Sequence, residues 1–345
     1  HTVDTLEWEV FEGCDSIHTV VWNTNSKNAE LYRNSSWNEY NMFPRVKTFV
    51  FGDSVRNIPY RALYYSDSLY TVILGNNVDT IGDEAFRNCY NLRNVDFANA
   101  TNLRAIGYQA FYDCYNLRNI DFVNATNLTT IGNNAFYGCD SLRNIDLGSA
   151  TNLTTIGNQA FYECVNLRNV DLENATNLVR IGSSAFQGCT SLDIDSSRFG
   201  TALKFIGGSA FSNVDSLRYV EIPYSVDTIG SHVFSNCDSL HTVVWNSPRA
   251  SIANQFPNSW GNQTNLKTLV FGDSVRYIPD NAFNNSKIET LVLSNNLDSI
   301  GYQAFYGCDS LRNIDWGNSL NTLIKIDRQA FHECRAAGAS RPVFP

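Results

Sequence analysis

Apolar and polar positions alternate along this chain in a unit that repeats. In one copy, Leu92-x-x-Val95-x-Phe97 ends on period-two spacing, the mark of a short strand with one face inward. Just before it, Ile81-Gly82-x-x-Ala85-Phe86-x-x-Cys89 places Ala85, Phe86 and Cys89 at i, i+1 and i+4, which suits a single helical turn. Gly82 precedes that turn, where a permissive residue lets the chain bend. The halves are joined by Ala98-Asn-Ala-Thr-Asn-Leu103 or the shorter Asn76-Asn-Val78, whose asparagine and threonine can satisfy backbone groups at a turn.

Four nearly identical copies of 25 residues run from Ile81, and the cysteines fall at 89, 114, 139, 164 and 189. Aligning on the residue that opens the strand motif marks thirteen units: Ile17, Val46, Leu69, Leu92, Leu117, Leu142, Leu167, Leu192, Leu217, Leu240, Leu266, Ile288 and Leu311. A fixed period in this range means stacked supersecondary units, each burying its apolar face on the next. The pattern predicts an α/β repeat solenoid of about 13 units, with short parallel strands on a concave face and short helical turns on the convex side.

A longer repeat overlies the first. CDSIHTVVWN at 14–23 returns as CDSLHTVVWN at 237–246, and FVFGDSVRNIP at 49–59 returns as LVFGDSVRYIP at 269–279. A block of several units was therefore duplicated or shuffled. The chain divides into regular units over about 81–206, related flanking blocks over about 5–86 and 228–305, and a tail at 336–345 that reads as an irregular end or a cloning remnant. Residues 1–335 are expected to form one solenoid. Each flank carries an insertion, 23–45 and 246–265, holding Trp37, Tyr40 and Phe43 in one case and Phe256 and Trp260 in the other. The first exceeds ordinary connection length, which makes it functional or a cap over the core.

Composition narrows the function classes. With 43% hydrophobic and 13% aromatic residues there is material for a long core, and disorder is not expected. The net charge is −9 with six lysines against nineteen arginines and no basic run, so nucleic acid is a poor partner. No apolar run approaches the roughly 20 residues needed to span a bilayer, so membrane insertion within this chain is not expected. The chain begins at His1 with no visible signal peptide and reads as a processed end. Eight of the nine cysteines share one repeat position, which suits buried small hydrophobes; disulfides between neighbouring rungs are the alternative. No CxxC pair supports zinc.

The unit LxxVxLxxxxxLxxIGxxAFxxC resembles the leucine-rich repeat of the BspA or Treponema type over about residues 5–334, the IGxxAFxxC half being specific to that subclass. The 25-residue copies depart from the 23-residue form more usual there. The resemblance implies a curved right-handed horseshoe from an extracellular or cell-surface protein, acting in adhesion to a host or matrix protein.

Candidate sites follow from the outward strand positions. In the centre they form a column of Asp96, Asp121, Asp146 and Asp171 beside one of Asn94, Asn119, Asn144 and Asn169, with Arg93, Arg118, Arg143 and Arg168 at the strand entrances. Carboxylates about 4.8 Å apart repel one another. They are expected to be compensated by these arginines in a solvated lattice, with calcium as an alternative that no Asp-x-Asp-x-Asp-Gly loop supports. At the flanks the same position is apolar: Val21, Val50 and Ile73, then Val244, Val270 and Val292. Such area marks either a partner site or plain strand propensity. No GxSxG, HExxH, Walker loop or GxGxxG occurs, so neither an enzyme nor a cofactor is expected. Eight Asn-x-Ser/Thr sequons (Asn34, Asn99, Asn124, Asn127, Asn152, Asn174, Asn262, Asn284) come largely from repetition of one turn. The expected function is a non-enzymatic protein-binding or adhesion solenoid. The alternatives are a spacer that self-associates end to end and, more weakly, carbohydrate binding through Trp37, Tyr40 and Trp260.

Overall fold

A computed structural model of the chain describes residues 5–6, 14–24, 30–31, 43, 45–172, 174–194, 196, 199–248 and 265–334. Two rows of short parallel strands run along the stack. Row A begins with Thr19–Trp22, Thr48–Phe51, Thr71–Leu74, Asn94–Asp96, Asn119–Asp121, Asn144–Asp146 and Asn169–Asp171, one seven-stranded sheet. It resumes as a five-stranded sheet from Tyr219–Ile222 to Asn313–Asp315. Row B is made of two-residue strands, eight from Asn57–Ile58 to Thr228–Ile229 and three from Tyr277–Ile278 to Lys325–Ile326. The rows break at different places: row A at the distorted unit around Leu192, row B after Thr228–Ile229. Apart from the rows, Thr5–Leu6 pairs in parallel with Glu30–Leu31.

Eleven turns carry a row B strand, fewer than the thirteen units marked in the sequence. The units opened by Ile17 and Leu240 lack one among the described residues, because their second halves run into the insertions.

The expected helical turns are not helical. The only helix whose residues are all described is the 3-10 turn Ser319–Asn321. In its place, each Gly-x-x-Ala-Phe-x-x-Cys segment is a run of β-turns with two residues at positive φ, such as Glu84 (55°) and Asn88 (60°). The amides alternate in duty. Those of Ala85, Arg87 and Cys89 close local turns onto Gly82, Glu84 and Phe86, while those of Glu84, Phe86 and Asn88 donate to Tyr108, Ala110 and Tyr112 of the next turn. A helix would spend all these donors locally; the stack needs half of them to join its neighbour. Left-handed backbone costs a non-glycine residue about 1–2 kcal/mol. The second such column accordingly favours asparagine, aspartate and glycine: Asn88, Asp113, Gly138, Gly188, Asn213 and Asn236.

Glycine after the row B isoleucine serves a purpose other than bending. A Cβ on Gly132 would lie 2.7 Å from the backbone C and O of Gly107, so the residue is there for closeness between turns.

The core is a set of columns. Phe86, Phe111, Phe136, Phe161, Phe186, Phe211 and Phe234 stack with centroids 5.0–5.7 Å apart and planes within 13°. All nine cysteines are free thiols. Cys114, Cys139, Cys164 and Cys189 donate from Sγ to the carbonyls of Phe86, Phe111, Phe136 and Phe161, 3.0–3.2 Å away. Burial pushes the Cys114, Cys139 and Cys164 thiols well above their ordinary range. They behave as packed hydrophobes with one satisfied donor. Outside the core, Asn102, Asn127, Asn152 and Asn177 each donate a side-chain amide to a carbonyl of the preceding turn at 2.8–3.0 Å.

Candidate partner-binding faces

Row A sorts its outward residues into registered lines. Val21 lies opposite Val50, Val50 opposite Ile73, and Ile73 opposite Asp96. Asp121, Asp146 and Asp171 continue in register with one another. Beside this line Thr19, Thr48 and Thr71 lead into Asn94, Asn119, Asn144 and Asn169. The second flank repeats the arrangement: Glu221, Val244, Val270, Val292 and Asp315 form one line, and Tyr219, Thr242, Thr268, Thr290 and Asn313 the other. Each flank thus presents three valine or isoleucine residues and three threonines, with an acidic end.

Exposure differs within the faces. Val21 is 65% exposed on the terminal strand of its sheet, while Val50, Ile73, Val244, Val270 and Val292 are half-buried among their neighbours. Glu221 is held by the Asn246 side-chain amide (2.8 Å) and the Tyr219 hydroxyl (3.1 Å).

The central aspartates have a structural occupation. Oδ1 of Asp96, Asp121 and Asp146 accepts the amide two residues on, from Ala98, Val123 and Gly148, at 2.8–2.9 Å. This Asx turn ends the strand after three residues and starts the longer connection of the 25-residue unit. With Val50 or Ile73 at that position the strand runs to four residues and the unit is 23 long. The expected pairing with arginine is absent among the described residues for Asp96, Asp121 and Asp146. Their own backbone amides satisfy them instead, and Arg93 lies over the Tyr70 ring at 5.0 Å. Among the described residues no group of three or more His, Cys, Asp or Glu could hold a metal ion.

Trp37, Tyr40, Trp260 and Phe256 lie outside the described residues. Phe43 is inside the core at 2% exposure, edge-on to Phe49 at 5.3 Å, and its carbonyl accepts the Val46 amide as that of Cys89 accepts the Leu92 amide, so this aromatic fills the cysteine position of its unit.

A feature that sequence reasoning missed lies on the turn edge. Arg61 pairs with Glu84 at 2.9 Å; Arg87 approaches the same carboxylate at 3.4 Å and donates to Gln109. Both guanidinium groups sit among tyrosines, Arg61 between Tyr60 and Tyr64 at 4.9 and 4.8 Å and Arg87 4.7 Å over Tyr112. The column then continues as stacked rings: Tyr112 on Tyr137 at 4.6 Å and Tyr137 on Tyr162 at 4.8 Å. Burial, then the Glu163 carboxylate, pushes the Tyr137 phenol up to about 12. Tyrosine directly after the repeat phenylalanine at 112, 137 and 162 was the signal.

The pattern that defines the BspA type leucine rich repeat region (6 copies) matches residues 38–151, 104–241, 193–312 and 257–338. Among solved structures, a leucine-rich repeat protein from Bacteroides ovatus is 22% identical, with 96% of this chain and 88% of that one covered at a TM-score of 0.47. A leucine rich cell surface protein from Faecalibacterium prausnitzii is 20% identical over 83% of this chain and 85% of that one, TM-score 0.35. The leucine rich repeat protein of T. pallidum is 18% identical over 77% and 78%, TM-score 0.21. A comparison with the curated proteins found no match.

Proposed function

The chain belongs to the BspA-type leucine rich repeat family, and on that premise we propose that it is a non-catalytic binding protein of the cell surface or extracellular space that holds a protein partner on its two threonine–valine faces. One observation carries the reading. At both duplicated flanks, and only outside the central copies, the registered Asn and Asp lines give way to Thr and Val or Ile. A β-branched strip with polar or acidic ends offers an apolar centre and a polar rim, the anatomy of a specific interface. The central face is the weaker candidate, because its carboxylates are committed to turns. No helix of the described residues is long and apolar enough to cross a membrane.

The test is retention of the chain on a panel of immobilised matrix proteins. Val21→Asp combined with Val270→Asp is expected to weaken retention by about 30-fold or more, the effect of losing a central anchor worth about 2 kcal/mol. Replacing Asp96, Asp121, Asp146 and Asp171 with serine should leave it unchanged. The opposite pattern moves the site to the centre and ends this reading.

Self-association is the second reading, favoured by Asn313–Asp315 and Lys325–Ile326. Both are sheet-terminal strands among the described residues, next to incompletely buried Ile314, Trp316 and Phe331. An unpaired strand edge can template another chain. Light scattering that shows a monomer at all concentrations removes this reading.

A further inference from the structure

The stack brings equivalent side chains of successive turns into contact, which sets reactive side chains in columns: the cysteines, the tyrosines at 112, 137 and 162, and a looser tyrosine run in which Tyr90 stacks on Tyr115 at 5.4 Å. The cysteine column is out of reach of oxidants: Cys89, Cys114, Cys139, Cys164 and Cys189 have no solvent exposure and keep their thiols on backbone carbonyls. The column of Tyr112, Tyr137 and Tyr162 differs in every respect that matters. Its three residues are half-buried at the turn edge, and their rings lie 4.6 and 4.8 Å apart with planes 8° and 11° from parallel. Arg87 closes one end over Tyr112, and Gln187 stands at the equivalent position after Tyr162, so the run is three rings long.

We propose that this column is an oxidative cross-linking site, at which one-electron oxidation of two neighbouring phenols joins consecutive turns through a carbon–carbon bond. Each phenol loses one electron and its hydroxyl proton. The two phenoxyl radicals couple at ring carbons ortho to oxygen, and tautomerisation returns the ortho hydrogens to the oxygens. The balance is two tyrosines and one hydrogen peroxide giving one dityrosine and two waters, with a haem peroxidase as the class of oxidant. The Glu163 carboxylate is near enough to raise both the Tyr137 and Tyr162 phenols and can take up the departing proton. Radical coupling is limited by encounter, and the fold has already made the encounter by holding two phenols in ring contact. The product spans 25 residues of chain and ties together turns that otherwise adhere by packing and hydrogen bonds alone.

The molecule contains its own controls. Tyr60, Tyr224 and Tyr277 are more exposed, at 57%, 59% and 47%, yet among the described residues none has a tyrosine in ring contact. The experiment treats the dilute full chain with horseradish peroxidase and limiting hydrogen peroxide. It reads dityrosine fluorescence in the monomer band and maps linked peptides by tandem mass spectrometry. The expected result is a monomer lighter by two hydrogen masses per link, with Tyr112–Tyr137 and Tyr137–Tyr162 as the dominant links. Tyr137→Phe keeps a stacked ring but removes the phenol both links share. Those links should vanish, and monomer dityrosine should fall to the level of the Tyr112, Tyr137 and Tyr162 triple phenylalanine variant. Matching melting curves show that the fold is kept. The proposal is overturned if the links map mainly to Tyr60, Tyr224 or Tyr277 or to the wider-spaced Tyr90–Tyr115 pair (5.4 Å), if they join separate molecules, or if Tyr137→Phe retains the wild-type yield.

Discussion

The central block and the flanks are built on one coil and differ at one decisive position. In the centre the third strand residue is aspartate, which captures the amide two residues on and ends the strand. In the flanks it is valine or isoleucine, which faces outward and, except at Thr290–Val292, continues the strand to a fourth residue. At Asp96, Asp121 and Asp146 the choice goes with three-residue strands, 25-residue units and a polar face; at Val50 and Ile73 it goes with four-residue strands, 23-residue units and an apolar one. Glu221, acidic but without the Asx turn, keeps a four-residue strand and a 23-residue unit, so strand termination follows the hydrogen bond and not the charge. Uniformity in the centre goes with aspartates committed to turns, and the flanks, which lack that commitment at Val50 and Ile73, are where we propose that a partner binds.

The largest expected effect tests whether the central column is the mechanical spine. Phe136 is stacked on both sides, at 5.1 and 5.2 Å, whereas Phe271 meets Phe283 edge-on at 5.8 Å and 73°. Truncating a buried phenylalanine to alanine costs about 3–5 kcal/mol. Phe136→Ala should fall at the top of that range and Phe271→Ala at the bottom, as read from urea melts. A Phe271→Ala loss equal to or larger than that of Phe136→Ala would put the spine elsewhere.

Next in size is the closeness of the turns. Gly132→Ala places a methyl 2.7 Å from the Gly107 backbone, which no side-chain rotation relieves. The cost expected is about 1–3 kcal/mol, as for overpacking generally. If the residue served only to bend the chain, alanine would be nearly silent, since its φ is not in the left-handed region.

A smaller effect probes the decisive position itself. Asp121→Val removes an acceptor from the Val123 amide and should cost about 0.5–1.5 kcal/mol. Asp121→Asn, which retains the acceptor, should cost less. Equal losses from both would show that the carboxylate's charge, and not its turn, is what the centre uses.

Much of this was legible in the sequence. The period, the strands, their register and the identity of the core residues follow from spacing, and the family follows from the resemblance carried by the IGxxAFxxC residues. Two errors have physical causes. An i, i+1, i+4 apolar pattern fits a helical turn and a pair of β-turns equally, and what separates them is positive φ at Glu84, Gln109 and Gln159, residue types that do not announce it. The aspartates read as a charge lattice because an Asx turn is recognisable only once the strand's last residue is known. The tyrosine column was visible as a position but not as ring contacts, which depend on the spacing between turns.

The smallest prediction turns the comparison into a pH dependence. In the centre, burial raises the carboxyls of Asp113 and Asp140, the latter also through the nearby Asp113 and Glu163 charges. At the C-terminal flank the Lys267 and Lys325 ammonium groups hold Glu289 and Asp327 below the ordinary range. The raised groups bind protons more tightly folded than unfolded, so their contribution is fully present below the unfolded value of about 4 and is lost as pH rises through the higher folded value. The lowered groups behave oppositely: their contribution is present above the unfolded value and is lost as pH falls through the folded one. Acidification from neutrality toward pH 4 should therefore strengthen the centre relative to the flank. Hydrogen-exchange protection, corrected for the intrinsic pH dependence of exchange, should rise for peptides within 107–142 and hold or fall for those within 265–334. Asp113→Asn should raise central protection at pH 7 and lose that advantage in acid. If it confers no advantage at neutral pH, burial of that carboxylate is not a cost to the fold, and the two regions do not differ electrostatically in the way their residues indicate.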